Sequence, residues 1–184
     1  MKGEKYIKKW NEFHTIVFDF DGVFTDNKVY LNEQGEESIR CDRSDGLGIN
    51  LLNRFKIKNS WDLEYFILSK EKNIVVNKRA EKLQIESFKG INNKKDFIEN
   101  YLLNRFGDFE YSKNGVLYLG NDLNDLSAIK LCGFSMAPID AHEIIKKNVD
   151  ITLSKKGGEG FVREAIEKLI QIENMSLDQI QEII

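Results

Sequence analysis

The chain has one proline, two cysteines and two histidines in 184 residues, and each shortage closes off a class of protein. With Pro138 as its sole proline it has no proline-rich linker, and neither a repeat nor a shift in composition marks a second domain. Cys41 and Cys132 stand far apart, without Cys-x-x-Cys spacing, and read as free thiols in a reducing compartment. His14 and His142 each lack a second histidine at ligand spacing and read as structural. No apolar run approaches the roughly 18 residues that cross a bilayer. The charged opening MKGEKYIKKWNEFH lacks the apolar stretch of a signal peptide. A formal net charge of −3 gives no general attraction to nucleic acid or membrane. What remains is a cytoplasmic globular chain, read as one domain over residues 1–184.

Short apolar runs alternate with longer amphipathic stretches, which is the pattern of an α/β fold built on a mainly parallel sheet. Strands are expected at 15–18, 64–68, 85–88, 116–119, 134–137 and 150–153. Lys28–Leu31 and Ser38–Cys41, with Gly35 between them, read as a projecting β-hairpin over about residues 27–42. Helices are expected from near Asp45, after a cap at Asn73, from Asn92 or Asn93 to about Asn104, and over 140–147 and 161–171. Residues 104–115 read as a surface loop. Ser176 and Gln179 have capping-box spacing for a short terminal helix.

The chemistry begins at the end of the first buried strand, where Phe18-Asp19-Phe20-Asp21-Gly22 places two carboxylates one residue apart. Ligands of open α/β sheets bind at that edge. If the chain leaves strand geometry at Gly22, one carboxylate and the next backbone carbonyl can face a shared hard cation such as Mg²⁺. Three later strand ends carry matching parts. Ser69 supplies a hydroxyl, and Lys94 or its neighbour Lys95 supplies an ammonium group at a helix start, a place unfavourable to a cation unless it faces an anion. The acid-rich turn Gly120-Asn121-Asp122-Leu123-Asn124-Asp125 can supply a metal-ligand oxygen and an acid to orient the lysine. A nucleophile, a proton handler, a cation and donors for equatorial oxygens are what phosphoryl transfer needs.

These stretches resemble the haloacid dehalogenase superfamily, in particular the branch without a large cap domain. That branch includes 3-deoxy-D-manno-octulosonate 8-phosphate phosphatase, nonulosonate 9-phosphate phosphatases and the C-terminal domains of some acylneuraminate cytidylyltransferases. The resemblance also covers Asp45-Gly46-Leu47-Gly48 and Gly157-Gly158-Glu159-Gly160-Phe161-Val162-Arg163-Glu164. It implies a three-layer Rossmann-like fold and a Mg²⁺-dependent phosphatase of lipopolysaccharide or nonulosonate biosynthesis. Asp19 would be the nucleophile and Asp21 the general acid/base, with Ser69 and Lys94 stabilising the phosphoryl group. Mg²⁺ would be held by Asp19, the backbone carbonyl of Asp21 and Asn121, or by Asp122, directly or through water, in place of Asn121. Asp45, Gly46, Arg79 and Arg43 would face the sugar-acid phosphate. The resemblance further implies a homotetramer joined through the hairpin.

Two departures stand out. Asn121 occupies a position where the family often has aspartate, which implies a weaker metal site. Ser69-Lys70-Glu71 puts an acid where octulosonate phosphatases commonly have arginine, which leaves eight- and nine-carbon sugar acids both open as substrates. The rival reading is a catalytically quiet oligomerisation domain of a cytidylyltransferase pathway.

Overall fold

The computed structural model describes residues 7–184, so the first six residues of the charged opening lie outside the description. Six strands form one parallel sheet: β1 (Thr15–Phe18), β4 (Glu64–Leu68), β5 (Glu86–Phe88), β6 (Val116–Leu119), β7 (Phe134–Ala137) and β8 (Ile151–Thr152). Their order is β5-β4-β1-β6-β7-β8. Strand β1 is buried along its whole length and pairs with β4 on one side and β6 on the other. The chain builds β4 and β5 outward from β1, then returns across it to start β6. The crevice between β1 and β6 is therefore the point where the winding reverses, the place where such sheets hold ligands.

Alternation along β1 sorts the core into two layers. Ile16 and Phe18 pack with Ile49, Leu52, Phe161 and Ile166 of α1 (Arg43–Lys58) and α7 (Phe161–Leu169). Val17 packs on the other face with Phe66, Tyr118, Ile98 and Leu102, the last two from α3 (Lys94–Phe106). Helices α2 (Val75–Leu83), α4 (Phe109–Ser112), α5 (Leu126–Leu131), α6 (Glu143–Asn148) and α8 (Leu177–Gln181) complete the fold. Burying one such aliphatic or aromatic side chain contributes about 1.5–3 kcal/mol, so the central strand anchors whatever follows it. Helices α1 and α7 meet closely, since a Cβ at Gly48 would lie 2.8 Å from the Arg163 Cα. Among the described residues no helix is long and apolar enough to cross a membrane.

Strands β2 (Thr25–Leu31) and β3 (Glu37–Cys41) form a separate antiparallel hairpin between β1 and α1. It projects with Val29, Tyr30 and Leu31 exposed at 61%, 57% and 66%.

Several local expectations shift. Residues 104–115 are not all loop: α3 runs to Phe106, and α4 follows, capped by the Asp108 side chain accepting from the Tyr111 amide. Helix α1 begins at Arg43 because the Asp42 side chain accepts from Ser44 N and fixes the first turn. Asn93, not Asn92, caps α3, accepting from Asp96 N. Asn73 does accept from Val75 N, but the residue in the capping position of α2 is Ile74.

Candidate active site

Asp19 is the first residue beyond β1, and its amide still bonds to the Leu119 carbonyl of β6 at 2.8 Å. That bond fixes its backbone as an extension of the sheet. Its Oδ1 accepts from Phe20 N at 2.7 Å and from Lys94 Nζ at 2.6 Å. Lys94 reaches this point because the Asn93 cap starts α3 directly before it, and its side chain is almost fully buried, at 1% exposure. Its neighbour Lys95 points away and pairs with Glu99. The choice between the two lysines is thus made by the register of one helix cap.

Lys94 has a second partner, Asp125 Oδ1, at 2.7 Å. Asp125 is fully buried, and its four acceptor contacts organise the turn after β6. Oδ1 takes Lys94 and the Tyr118 hydroxyl (2.7 Å); Oδ2 takes Asn121 N (2.9 Å) and Asp122 N (3.2 Å). The acid expected from this turn to orient the lysine is Asp125, which the sequence alone does not separate from the other acids of the turn, and Tyr118 was not anticipated. A usable signal was there, since Asp125 sits three residues after the capping Asp122, and its own side chain closes a capping box on that residue.

Two buried carboxylates thus share one ammonium. Burial works against the charge on Lys94, but Asp19 and Asp125 outweigh it and hold the ammonium above its ordinary value. Burial and then the charge of Asp125 push the Asp19 carboxyl up to about 8, with Lys94 pulling against them. Asp21 is also raised, by burial and by the charge of Glu71, while Lys94 and the Thr25 hydroxyl pull it back.

Asp19, Asp21, Ser69, Asn121 and Asp122 line one cavity of about 390 Å³, with Lys70 and Lys72 on its wall. Ser69 Oγ accepts from Glu71 N at 3.0 Å, so its own proton remains for a ligand. The Glu71 carboxylate folds back onto Lys72 N (2.6 Å) and Asn73 N (2.9 Å) and braces its own loop. Asn27, Asn92 and Asn124 also face the cavity and were not anticipated. With four asparagines and no apolar side chain on the wall, the cavity suits a strongly hydrophilic ligand.

Four expected substrate contacts do not line this cavity. Asp45 is buried between α1 and α7, where Oδ1 accepts from Arg163 N at 3.0 Å. Burial raises its carboxyl to about 6. Arg79 donates to the Asp42 carbonyl at 2.7 Å, and Gly46 lies against Leu83 and Arg79. Arg43 is exposed on the first turn of α1. The cap at Asp42 sets the first turn of α1, and in that turn Asp45 faces α7.

An oxygen donor set for a hard cation is present. Asn121 is 7% exposed, and its Oδ1 is buried with no hydrogen-bond partner among the described residues. An unpaired buried carbonyl oxygen is costly unless something satisfies it. The Asn121 amide packs against Gly22, and Asp19 and Asp21 line the same cavity. Among the described residues no group of three His, Cys, Asp or Glu side chains is placed to hold a metal ion. A site here would therefore use an amide and a backbone carbonyl beside its carboxylate, a donor set that suits Mg²⁺.

No protein-family model matches the chain. Among solved structures, a HAD family hydrolase from Streptomyces avermitilis is 32% identical, with a TM-score of 0.80 over 89% of this chain and 94% of that one. The 3-deoxy-D-manno-octulosonate 8-phosphate phosphatase from Moraxella catarrhalis, solved with magnesium, phosphate and KDO, is 26% identical, with a TM-score of 0.78 over 92% of each chain. The curated 3-deoxy-D-manno-octulosonate 8-phosphate phosphatase of Haemophilus influenzae is 29% identical over 169 residues, 92% of this chain and 89% of that protein. A parallel sheet with its switch-point aspartate, at this level of likeness, defines the class: the chain belongs to the haloacid dehalogenase superfamily of hydrolases. Within that superfamily its relatives include octulosonate phosphatases.

Proposed function

We propose that the chain is a divalent-cation-dependent phosphatase that hydrolyses the phosphomonoester of a keto-deoxy sugar acid through an aspartyl phosphate on Asp19. The observation that carries this reading is the buried Asp19–Lys94–Asp125 cluster opening onto a polar cavity beside Ser69. The named activity of the octulosonate phosphatase relatives supports the substrate class. The Ser69-Lys70-Glu71 loop keeps eight- and nine-carbon sugar acids both in play.

The cation would be held by the Asp19 carboxylate, the Asp21 backbone carbonyl and Asn121 Oδ1, with Asp122 at the rim. Bound there, Mg²⁺ would offset the repulsion between Asp19 and a phosphate dianion. Asp19 Oδ1 is already engaged by Phe20 N and Lys94, which leaves Oδ2 to attack phosphorus. As the Oδ2–phosphorus bond forms, the bond from phosphorus to the sugar oxygen breaks, and protonated Asp21 gives its proton to that oxygen. The raised carboxyl of Asp21 favours this protonated starting state. Asp21 then removes a proton from water, the water oxygen attacks phosphorus, and Asp19 is released with free phosphate. Lys94 keeps one of its three protons beyond the two given to Asp19 and Asp125, and Ser69 keeps its own. Both protons stabilise the equatorial oxygens.

The same reading takes the chain as one phosphatase domain and the exposed hairpin as the element that joins four copies. Light scattering on the purified protein tests the tetramer. Turnover is tested with a panel of eight- and nine-carbon sugar-acid phosphates and an aryl phosphate, with Mg²⁺ and with chelator. Mg²⁺-dependent phosphate release that disappears in Asp19→Asn supports the reading. No release from any of them would favour the quiet oligomerisation domain.

A further inference from the structure

The glycine run at 157–160 has no part in the chemistry above, yet its backbone stands directly behind the turn that carries Asp21. A Cβ at Gly157 would lie 2.0 Å from the Gly22 carbonyl oxygen and 2.5 Å from its carbonyl carbon, where ordinary contact begins near 3.4 Å. A Cβ at Gly158 would lie 2.4 Å from both Asp26 N and the Thr25 carbonyl carbon. Gly158 N also donates to the Val23 carbonyl at 3.1 Å. Only two side-chain-free residues in succession let these backbones touch.

Gly22 is pressed from its other side as well. A Cβ there would lie 1.9 Å from Asn121 Nδ2, and its φ of +74° is one that L side chains rarely adopt. The Asn121 amide, the Gly22 peptide and the Gly157 backbone therefore form a stack three layers deep. The stack closes on itself through the loop after β7. The Asn121 carbonyl accepts from His142 N at 2.9 Å, and two residues earlier Asp140 Oδ1 accepts from Gly157 N at 3.1 Å. Four separate stretches of chain, the Gly22 turn among them, complete the ring.

We propose that Gly157 and Asp140 are positioning residues that set the spacing between the Asp21–Gly22 backbone and the Asn121 amide, the two neutral oxygen donors of the cation site. This rests on the phosphatase reading for the identity of those donors. The physical reason lies in their neutrality. Two carboxylates are drawn onto a cation by charge and tolerate some slack, whereas a backbone carbonyl and an amide are weaker donors that depend on being placed in advance. Mg²⁺ adds to the demand, because it accepts little departure from octahedral geometry at about 2.0–2.1 Å.

The test is calorimetric titration of substrate-free protein with Mg²⁺, alongside a melting curve, for wild type, Gly157→Ala, Asp140→Ala and Asp140→Asn. A methyl at Gly157 pushes back the Gly22 carbonyl and Cα, moves with them the Asp21 carbonyl one peptide earlier, and weakens Mg²⁺ binding about tenfold or more, the scale of a lost outer contact to a metal ligand. Asp140 is exposed, so its variants keep the fold. Asp140→Ala weakens binding several-fold, and Asp140→Asn, which keeps an acceptor oxygen for Gly157 N, restores it. Gly107→Ala is the control, since a Cβ built at Gly107 has nothing within 4 Å; it leaves Mg²⁺ affinity unchanged. Wild-type affinity in both Gly157→Ala and Asp140→Ala overturns the proposal, as does failure of Asp140→Asn to restore it. If the wild type binds the cation but hydrolyses no phosphomonoester, weakened variants still support the ring, and the phosphatase reading alone falls. A wild type that binds no divalent cation overturns both.

Discussion

In chelator, replacing the proposed nucleophile with asparagine is expected to make the protein more stable. Asp19 is 3% exposed, and burial, reinforced by Asp125 and opposed by Lys94, lifts its carboxyl from 3.8 to about 8. Below 3.8 the folded and unfolded chains both hold the proton and the group adds no pH dependence. Between 3.8 and about 8 the unfolded chain has released it while the folded one retains it, so stability falls as pH rises through that window. At about 1.4 kcal/mol per unit, the penalty reaches about 4 kcal/mol at neutral pH, a large part of the roughly 5–15 kcal/mol that holds a domain together.

The substituted amide would keep an oxygen for Phe20 N and Lys94, lose the ionisation, and leave Lys94 balanced against Asp125. The weakened bond to Lys94 returns about 1–2 kcal/mol of the gain, so the net stabilisation of Asp19→Asn at neutral pH is about 2 kcal/mol. Urea unfolding of both proteins in chelator, from about pH 5 to about pH 8, measures it. Subtracting the curves cancels the titrating groups outside the Asp19–Lys94–Asp125 cluster. The difference should favour the variant and widen with pH. A variant less stable than wild type at the alkaline end, or a difference that stays flat with pH, would refute the electrostatic account of the cluster. Added Mg²⁺ should then reverse the ranking, because only the wild type offers the cation its carboxylate.

Three further outcomes follow from the same geometry. Asn121→Asp should tighten Mg²⁺ binding about tenfold by calorimetry, since ligand charge is a main determinant of affinity at hard-cation sites. Lys70→Met with Lys72→Met should raise KM about tenfold for a sugar-acid phosphate while leaving an aryl phosphate unaffected, because both residues line the cavity, both are exposed, and neither has an ion-pair partner among the described residues. Asp45 is held at about 6, above its ordinary 3.8, so it costs stability as pH rises through that interval. The stability of Asp45→Asn relative to wild type should therefore climb by about 3 kcal/mol between acid and neutral pH in urea unfolding.

What could be read from the sequence was whatever a strand end fixes. Val116–Leu119 and Thr15–Phe18 are runs buried along their length, and the residues just after them, Asn121 and Asp19, inherit a definite address from the sheet. Ser69 follows β4 in the same way, its amide bonded to Phe88 of β5. What could not be read depends on helix register. Lys94 and Lys95 differ only in which side of α3 they take once Asn93 caps it, and one is buried while the other faces solvent. Asp45 looked like a site residue from its neighbours in sequence, but the Asp42 cap places it against the start of α7. Asp125 was hidden among acids that any helix start tolerates, and only its four simultaneous donors single it out.

The charge balance at the site bears on what a cation would do there. Lys94 is the one ammonium in contact with Asp19 and Asp125 among the described residues, so that buried group carries a net negative charge when both acids are ionised. A phosphate dianion brought within about 4 Å of it meets a repulsion of about 4 kcal/mol per charge pair at an effective dielectric of about 20. Protonating Asp19 relieves this, and its raised carboxyl makes that the resting choice of the isolated protein. A protonated carboxyl admits the phosphate but cannot attack it. Asp19 and the two neutral oxygens would hold a divalent cation, whose charge would take the place of the proton on Asp19 and offset the repulsion. On this account, proton release on Mg²⁺ binding should be measurable near neutral pH as a dependence of the binding enthalpy on the ionisation enthalpy of the buffer. Its absence would mean that Asp19 is already ionised in the cation-free protein.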